Sequence, residues 1–138
     1  MNNSTLNSIV ATVKQINSYD GVNIVEFNFN KTTLSMMGLE LPSGIDIGTK
    51  VILGVKPSHV TIAKSYNLEV SYSNKIKANI TNIIEGQLLC NVIISCHNTK
   101  IESLITKRTK DNMHLKVNDK VTVLIKSTEL FIKEILDD

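Results

Sequence analysis

The chain has 138 residues, is 42% hydrophobic and 4% aromatic with no tryptophan, and carries a formal net charge of +2. That length holds one domain, or two very small units that each sit near the limit of independent stability. So slight a positive charge, with Arg108 as its one arginine, excludes a basic field able to neutralise many phosphates. The scarcity of aromatics excludes a stacking surface for bases, so a nucleic-acid partner is not expected.

No apolar run is long enough to span a bilayer, and the opening MNNSTLNS has neither a basic nor an apolar leader segment. A cytoplasmic protein without membrane insertion is expected. The first alternating stretch, Ile9 to Ile16, predicts a strand; it turns at Tyr19-Asp20-Gly21 into a second strand from Ile24 to Phe29. A third strand is expected over Thr32 to Met36. A connector follows, in which Met36, Met37 and Leu39 read as core or interface residues. A fourth strand over Val51 to Val55 and a short final one over Val60 to Ala63 complete the unit.

The pattern then repeats. The segment Asn7-Ser8-Ile9-Val10-Ala11-Thr12-Val13 matches Asn74-Lys75-Ile76-Lys77-Ala78-Asn79-Ile80. Lys50-Val51-Ile52-Leu53-Gly54-Val55-Lys56-Pro57-Ser58 matches Lys120-Val121-Thr122-Val123-Leu124-Ile125-Lys126-Ser127-Thr128. Strands are therefore expected over Ile76 to Ile84, Leu88 to Cys96, Lys100 to Ile105, Val121 to Ile125 and Leu130 to Lys133, with Ser65 to Glu69 as linker and Asp137-Asp138 as a frayed tail. The second copy is the longer, and its extra residues fall around Thr106. The fold expected is all-β, with two tandem OB-like five-stranded Greek-key barrels over residues 1–66 and 67–138.

The chemistry concentrates between Ile105 and Ile132. Thr106 and Thr109 are spaced so that a helical turn after Ile105 would aim both hydroxyls and the free N–H groups of its first turn the same way. Lys126-Ser127-Thr128, at the end of a strand, offers hydroxyl, ammonium and main-chain donors together. A buried tetrahedral dianion needs many such donors to replace its lost water, and uncharged N–H and O–H groups with one or two cations supply them without a metal. The bland reading of the same residues is that Thr and Ser suit strand ends and helix starts. Cys90 and Cys96 are expected on one buried strand face as free thiols, and His59, His97 and His114 are isolated, so no metal site is expected. Cys90 and His97 fall on opposite faces of a strand; no catalytic residue and no enzyme activity are expected.

The run Ile-Thr-x-x-Thr, a short gap, Leu-x-Val, a Val-rich strand and Ile-Lys-Ser-Thr resembles the molbindin (Mop) type of TOBE domain. That resemblance implies binding of molybdate or tungstate as ligand, with no cofactor. It also implies that donors from the opening of each repeat reach the ion, which here are Ser4 and Asn7 in the first copy and Ser71, Ser73 and Asn74 in the second. Neither opening has the arginine usual in the family, so Lys56, Lys126 or Arg108 would supply the balance of charge. The first copy diverges, reading Leu34-Ser35-Met36-Met37-Gly38-Leu39 where the family has its Thr-x-x-Ser pair. Its Gly54-Val55-Lys56-Pro57-Ser58 ending is similar to TOBE domains appended to importer ATPases. With no winged-helix segment in view, the chain is similar to the stand-alone di-domain proteins of the family. Those assemble as homo-oligomers, so a trimer is favoured here, with a dimer as the alternative. The role implied is intracellular buffering, storage or sensing of the oxyanion. The competing reading is a regulatory module docking on an ABC importer ATPase or another partner.

Overall fold

The computed structural model describes residues 5–136, so the expectations for Ser4 and for the tail Asp137-Asp138 lie outside the described residues. The first copy forms β1 (Asn7–Tyr19), β2 (Val22–Phe29), β3 (Thr32–Gly38) and β4 (Lys50–Val55), then a single 3-10 turn (Pro57–His59) and β5 (Thr61–Ala63). The second copy forms β6 (Asn74–Glu85), β7 (Leu89–Cys96), β8 (Thr99–Thr106), the short helix α1 (Lys107–Asn112), β9 (Lys120–Ile125) and β10 (Phe131–Ile135). All ten expected strands are present. In β1, β6, β7 and β9 the buried positions are mainly Ile, Val, Ala and Cys, which pack well on a pleated surface.

Each copy is built round an antiparallel hairpin whose first strand is long and bulged. The register slips between Val13 and Gln15 in β1 and between Ile80 and Asn82 in β6, at matching places in the repeat. Such a bulge bends a strand and sharpens its twist, letting one end pair with the neighbouring hairpin strand and the other with the closing strand. At the hairpin tip between β1 and β2, Asp20 and Gly21 both have positive φ, the conformation a tight turn of this hand requires.

The last strand of each copy departs from expectation. One sheet has the order β10-β4-β1-β2-β3 and the other β5-β9-β6-β7-β8. The two copies thus exchange their final strands: β5, which precedes residue 67, pairs with β9, and β10 pairs with β4. The expectation that each copy closes its own sheet is corrected. The physical reason lies in the side chains that meet across the two outer ladders, Phe131 with Gly54 and Thr61 with Leu124. One hydrophobic cluster runs through both sheets, joining Ile9, Phe27 and Leu53 of the first with Ile76, Ile94 and Ile125 of the second. Two small barrels that were marginal alone therefore share a core.

Candidate functional site

The exchange decides where the expected donors lie. Asn7 and Asn74 open the first strand of each copy, and both are buried. The Asn74 amide accepts from the Ser35 N–H at 2.7 Å and donates to the Ser35 carbonyl at 3.0 Å and the Ile125 carbonyl at 3.0 Å. Asn7 does the same across the seam, accepting from the Glu102 N–H at 2.8 Å and donating to its carbonyl at 2.9 Å. Each amide stands in for the missing neighbour of an edge strand, β3 or β8. These two amides are spent on the protein's own main chain rather than left open to an anion.

Lys126-Ser127-Thr128 follows β9 but is carried by the exchange toward the first sheet, where the Met37 N–H donates to the Ser127 carbonyl at 3.0 Å. Lys56-Pro57-Ser58 follows β4 and packs against β8, where the Ser103 hydroxyl donates to the Val60 carbonyl at 2.7 Å. The expected grouping of Thr106 and Thr109 with Lys126, Ser127 and Thr128 in one local unit is corrected. Within the chain, β8, which ends at Thr106, meets the Lys56 turn, and the Lys126 turn meets β3. The two turns are tied together where His59 Nδ1 lies 2.8 Å from Glu129 Oε2.

Around the Lys126 turn the unspent donors gather. The last ladder pair of β6 and β9 is Asn74 with Ile125, so Ser73 and Lys126 lie one residue beyond it at the same end of the sheet. Lys126, Thr128 and Ser73 are exposed. Among the described residues, the side chains of Lys126, Ser127, Thr128, Ser71 and Ser73 have no hydrogen-bond or ion-pair partner. The Lys56 turn is poorer. It has Pro57 where the other has Ser127, Leu6 where the other has Ser73, and packs on the strand that carries Glu102.

The helical turn expected after Ile105 is present. Thr106 is the N-cap of α1: its hydroxyl accepts from the Thr109 N–H at 3.1 Å and donates to the Thr109 hydroxyl at 2.9 Å. Most of the local cation is already paired. Lys110 Nζ lies 2.9 Å from Glu85, and Lys107 Nζ lies 3.4 Å from Glu85 and 3.1 Å from Asp111. The hydrogen bond and charge of Lys110 hold the Glu85 carboxyl below its ordinary range, and Lys107 does the same for Asp111. Arg108 remains unpaired among the described residues. Cys90 and Cys96 are buried free thiols on one strand face, and burial pushes the Cys96 thiol up to about 12. Among the described residues there is no cluster of three metal-ligating side chains.

Residues 71–132 match the family model described as the TOBE domain. The match lies within the second copy, which is similar to a TOBE domain over those residues. The molybdate-bound crystal structure of the cytoplasmic molybdate-binding protein ModG is similar over 96% of this chain and 98% of its own, with a TM-score of 0.86 and 20% identity. That likeness shows the fold: tandem units of this kind span both proteins. A high-resolution structure of a molybdate-binding protein from Sporomusa ovata matches 51% of this chain and 100% of its own, with a TM-score of 0.45 and 28% identity. Comparison with curated proteins gave no match. The matched TOBE segment runs from the Ser71 opening through the Lys126 turn, so it contains the richer donor cluster. It stops at Ile132, inside the strand that closes the other sheet.

Proposed function

We propose that this protein is a non-enzymatic, cytoplasmic oxyanion-binding protein that takes molybdate or tungstate at the seam between its two sheets. The observation that carries the reading is the cluster of Lys126, Ser127, Thr128 and Ser73, a cation with hydroxyls that the fold leaves unspent beside a TOBE strand end. Such a donor set replaces the hydration of a tetrahedral dianion without a metal or cofactor. The fold likeness to ModG supports the same ligand class. Molybdate, tungstate and sulfate carry the same charge, so selection rests on the size of the enclosure and the placement of donors.

Lys126, Thr128 and Ser73 are exposed, and Arg108 and Ser71, which have no side-chain partner among the described residues, would complete the cluster from a neighbouring chain, with Thr106 and Thr109 turning from their mutual hydrogen bond to the ion. A ring of three chains is the favoured assembly. Calorimetric titration with molybdate, tungstate and matched sulfate tests the ligand; equal binding of sulfate would refute the selectivity. Light scattering with and without molybdate tests the shared site. A protein that binds the anion at full affinity while staying a monomer would rule the shared site out. The role in the cell that fits is buffering, storage or sensing of the ion. Docking on an ABC importer ATPase draws instead on the exposed Leu39 and Ile47 of the divergent first copy, and capture of such an ATPase by a protein that binds no oxyanion would favour it.

A further inference from the structure

A second polar site lies away from the seam, on the outer face of the second sheet. Lys77 on β6 pairs with Thr122 on β9, which in turn pairs with Ala63 on β5, so Lys64, the next residue, lies two strands over. Asn79 pairs with Lys120 on one side and with Ser95 on the other. Strand alternation thus sets Lys77, Asn79, Lys120 and Thr122 on one face, and Lys64 borders it. A hairpin tip closes one side, where His97 and Asn98 have φ of 47° and 64° and the His97 ring packs edge-on against Phe29 at 5.5 Å. The four lysine, asparagine and threonine side chains of that face, with Lys64, Tyr66, His97 and Asn98, line an open groove of about 490 Å³.

Three lysines converge here, and among the described residues none has a carboxylate within ion-pair distance. Their existing contacts are weak ones: Lys77 sits 4.5 Å over the Tyr66 ring, and Lys64 reaches the His114 carbonyl at 3.4 Å. Like charges gathered without compensation raise the local potential and repel one another, a cost that a bound anion removes. The repeat keeps only one of them, Lys120, which is matched by Lys50. At the positions of Lys77, Thr122 and Lys64 the first sheet has Val10, Ile52 and, on the exchanged β10, Glu134, and it has the same strand arrangement.

We infer that this groove binds a small organic ligand through a diphosphate group. Its volume falls in the range of small-ligand sites, roughly 300–1,000 Å³, and is generous for one tetrahedral ion. A diphosphate spans several cations at once, while Asn79, Asn98 and Thr122 offer further donors to its oxygens. Nucleic acid is disfavoured because the patch is confined to one face of a chain whose net charge is only +2.

Calorimetric titration of the full chain with ADP and with inorganic pyrophosphate tests this. Both should bind. The variant carrying Lys64→Gln, Lys77→Gln and Lys120→Gln should lose at least about tenfold in affinity for both, as expected when charge-assisted hydrogen bonds are removed. Its melting temperature should not fall, since the substitutions relieve repulsion, and its titration with molybdate should be unchanged, because none of the three lies at the seam. Each single substitution is measured as well, so that a folding defect in the triple variant would not shield the assignment. Absence of binding by either probe into the millimolar range, or affinity indifferent to the lysines, would overturn it. So would an oligouridylate that binds more tightly than ADP and gains affinity with length.

Discussion

The ring of Phe131 covers Gly54: a Cβ built on that glycine would lie 2.7 Å from Phe131 Cζ. Across the other exchanged pair, Leu124 stands opposite Thr61. Exchange therefore sets the largest outer side chain against no side chain at all, and a leucine against a small one. Unexchanged strands would pair Phe131 with Leu124 and leave Thr61 facing Gly54, overfilling one sheet and underfilling the other. Gly54→Ala should accordingly destabilise the protein by about 1–3 kcal/mol, the usual cost of overpacking. Gly54→Ala combined with Phe131→Leu should recover part of that loss in urea unfolding. Strict additivity of the two changes would show that the contact is not what selects the partner strand.

Asn74 offers a second measurement at the seam. Replacing this buried residue with Ala strips the half-buried Ser35 N–H and carbonyl and the buried Ile125 carbonyl of a partner. A loss of about 3 kcal/mol is expected, since each stranded polar group costs roughly 1–3 kcal/mol. Asn7→Ala, which breaks two bonds rather than three, should cost less. Chemical denaturation of both variants checks the order.

Lys126→Ala should weaken molybdate binding by roughly 1.5–3 kcal/mol, the worth of a hydrogen bond to a charged group, and leave the melting temperature of the free protein unchanged. Lys56→Ala should weaken it less, because its turn has Pro57 and Leu6 in place of hydroxyls and faces the strand bearing Glu102. Calorimetry on the two variants distinguishes the turns, and the opposite order would assign the working site to the first copy.

The α1 ion-pair cluster predicts a pH response. Glu85 and Asp111 are held below their ordinary values of 4.5 and 3.8, chiefly by hydrogen bonds from Lys110 and Lys107 respectively. Depressed carboxylates contribute stability that is present above those values and is lost as pH falls through the lower folded ones. Lys107 and Lys110 are shifted upward from 10.5 by Asp111 and Glu85 respectively. Their contribution is present below 10.5 and is lost as pH rises past the raised value. Both carboxylates are exposed and the two lysines half-buried, so the effect should be small and should fade with added salt. Amide exchange over α1 against pH reads it, and Glu85→Gln should flatten the acid side.

The strands and the capped turn at Thr106 were legible because alternation and Thr-x-x-Thr spacing are local signals. The TOBE likeness was legible at the same residues. Strand exchange was not, since Val60 to Ala63 and Leu130 to Lys133 satisfy either sheet by pattern. The difference between Gly54 and Leu124 at equivalent positions was in view, but its meaning depends on which residue comes to lie opposite. For the same reason Asn7 and Asn74 read, through the family resemblance, as donors to the ion, and the edge strands that use their amides were not in view. The groove lysines, Lys64, Lys77 and Lys120, lie far apart in sequence and only the order of strands joins them.

The exchange also constrains how the molecule comes into being. The first sheet lacks its outermost strand until Phe131–Ile135 has been made, so a chain emerging from its N-terminus holds β4 as an open edge from the completion of Val55 until almost the end of its synthesis. The pairing of β10 with β4 closes a very long loop, which slows folding and binds the two halves into one cooperative transition. Expressed separately, each half would lack the strand its sheet needs and carry the one the other needs. Mixed together, the halves should assemble by complementation, whereas either one alone should pair with itself or aggregate.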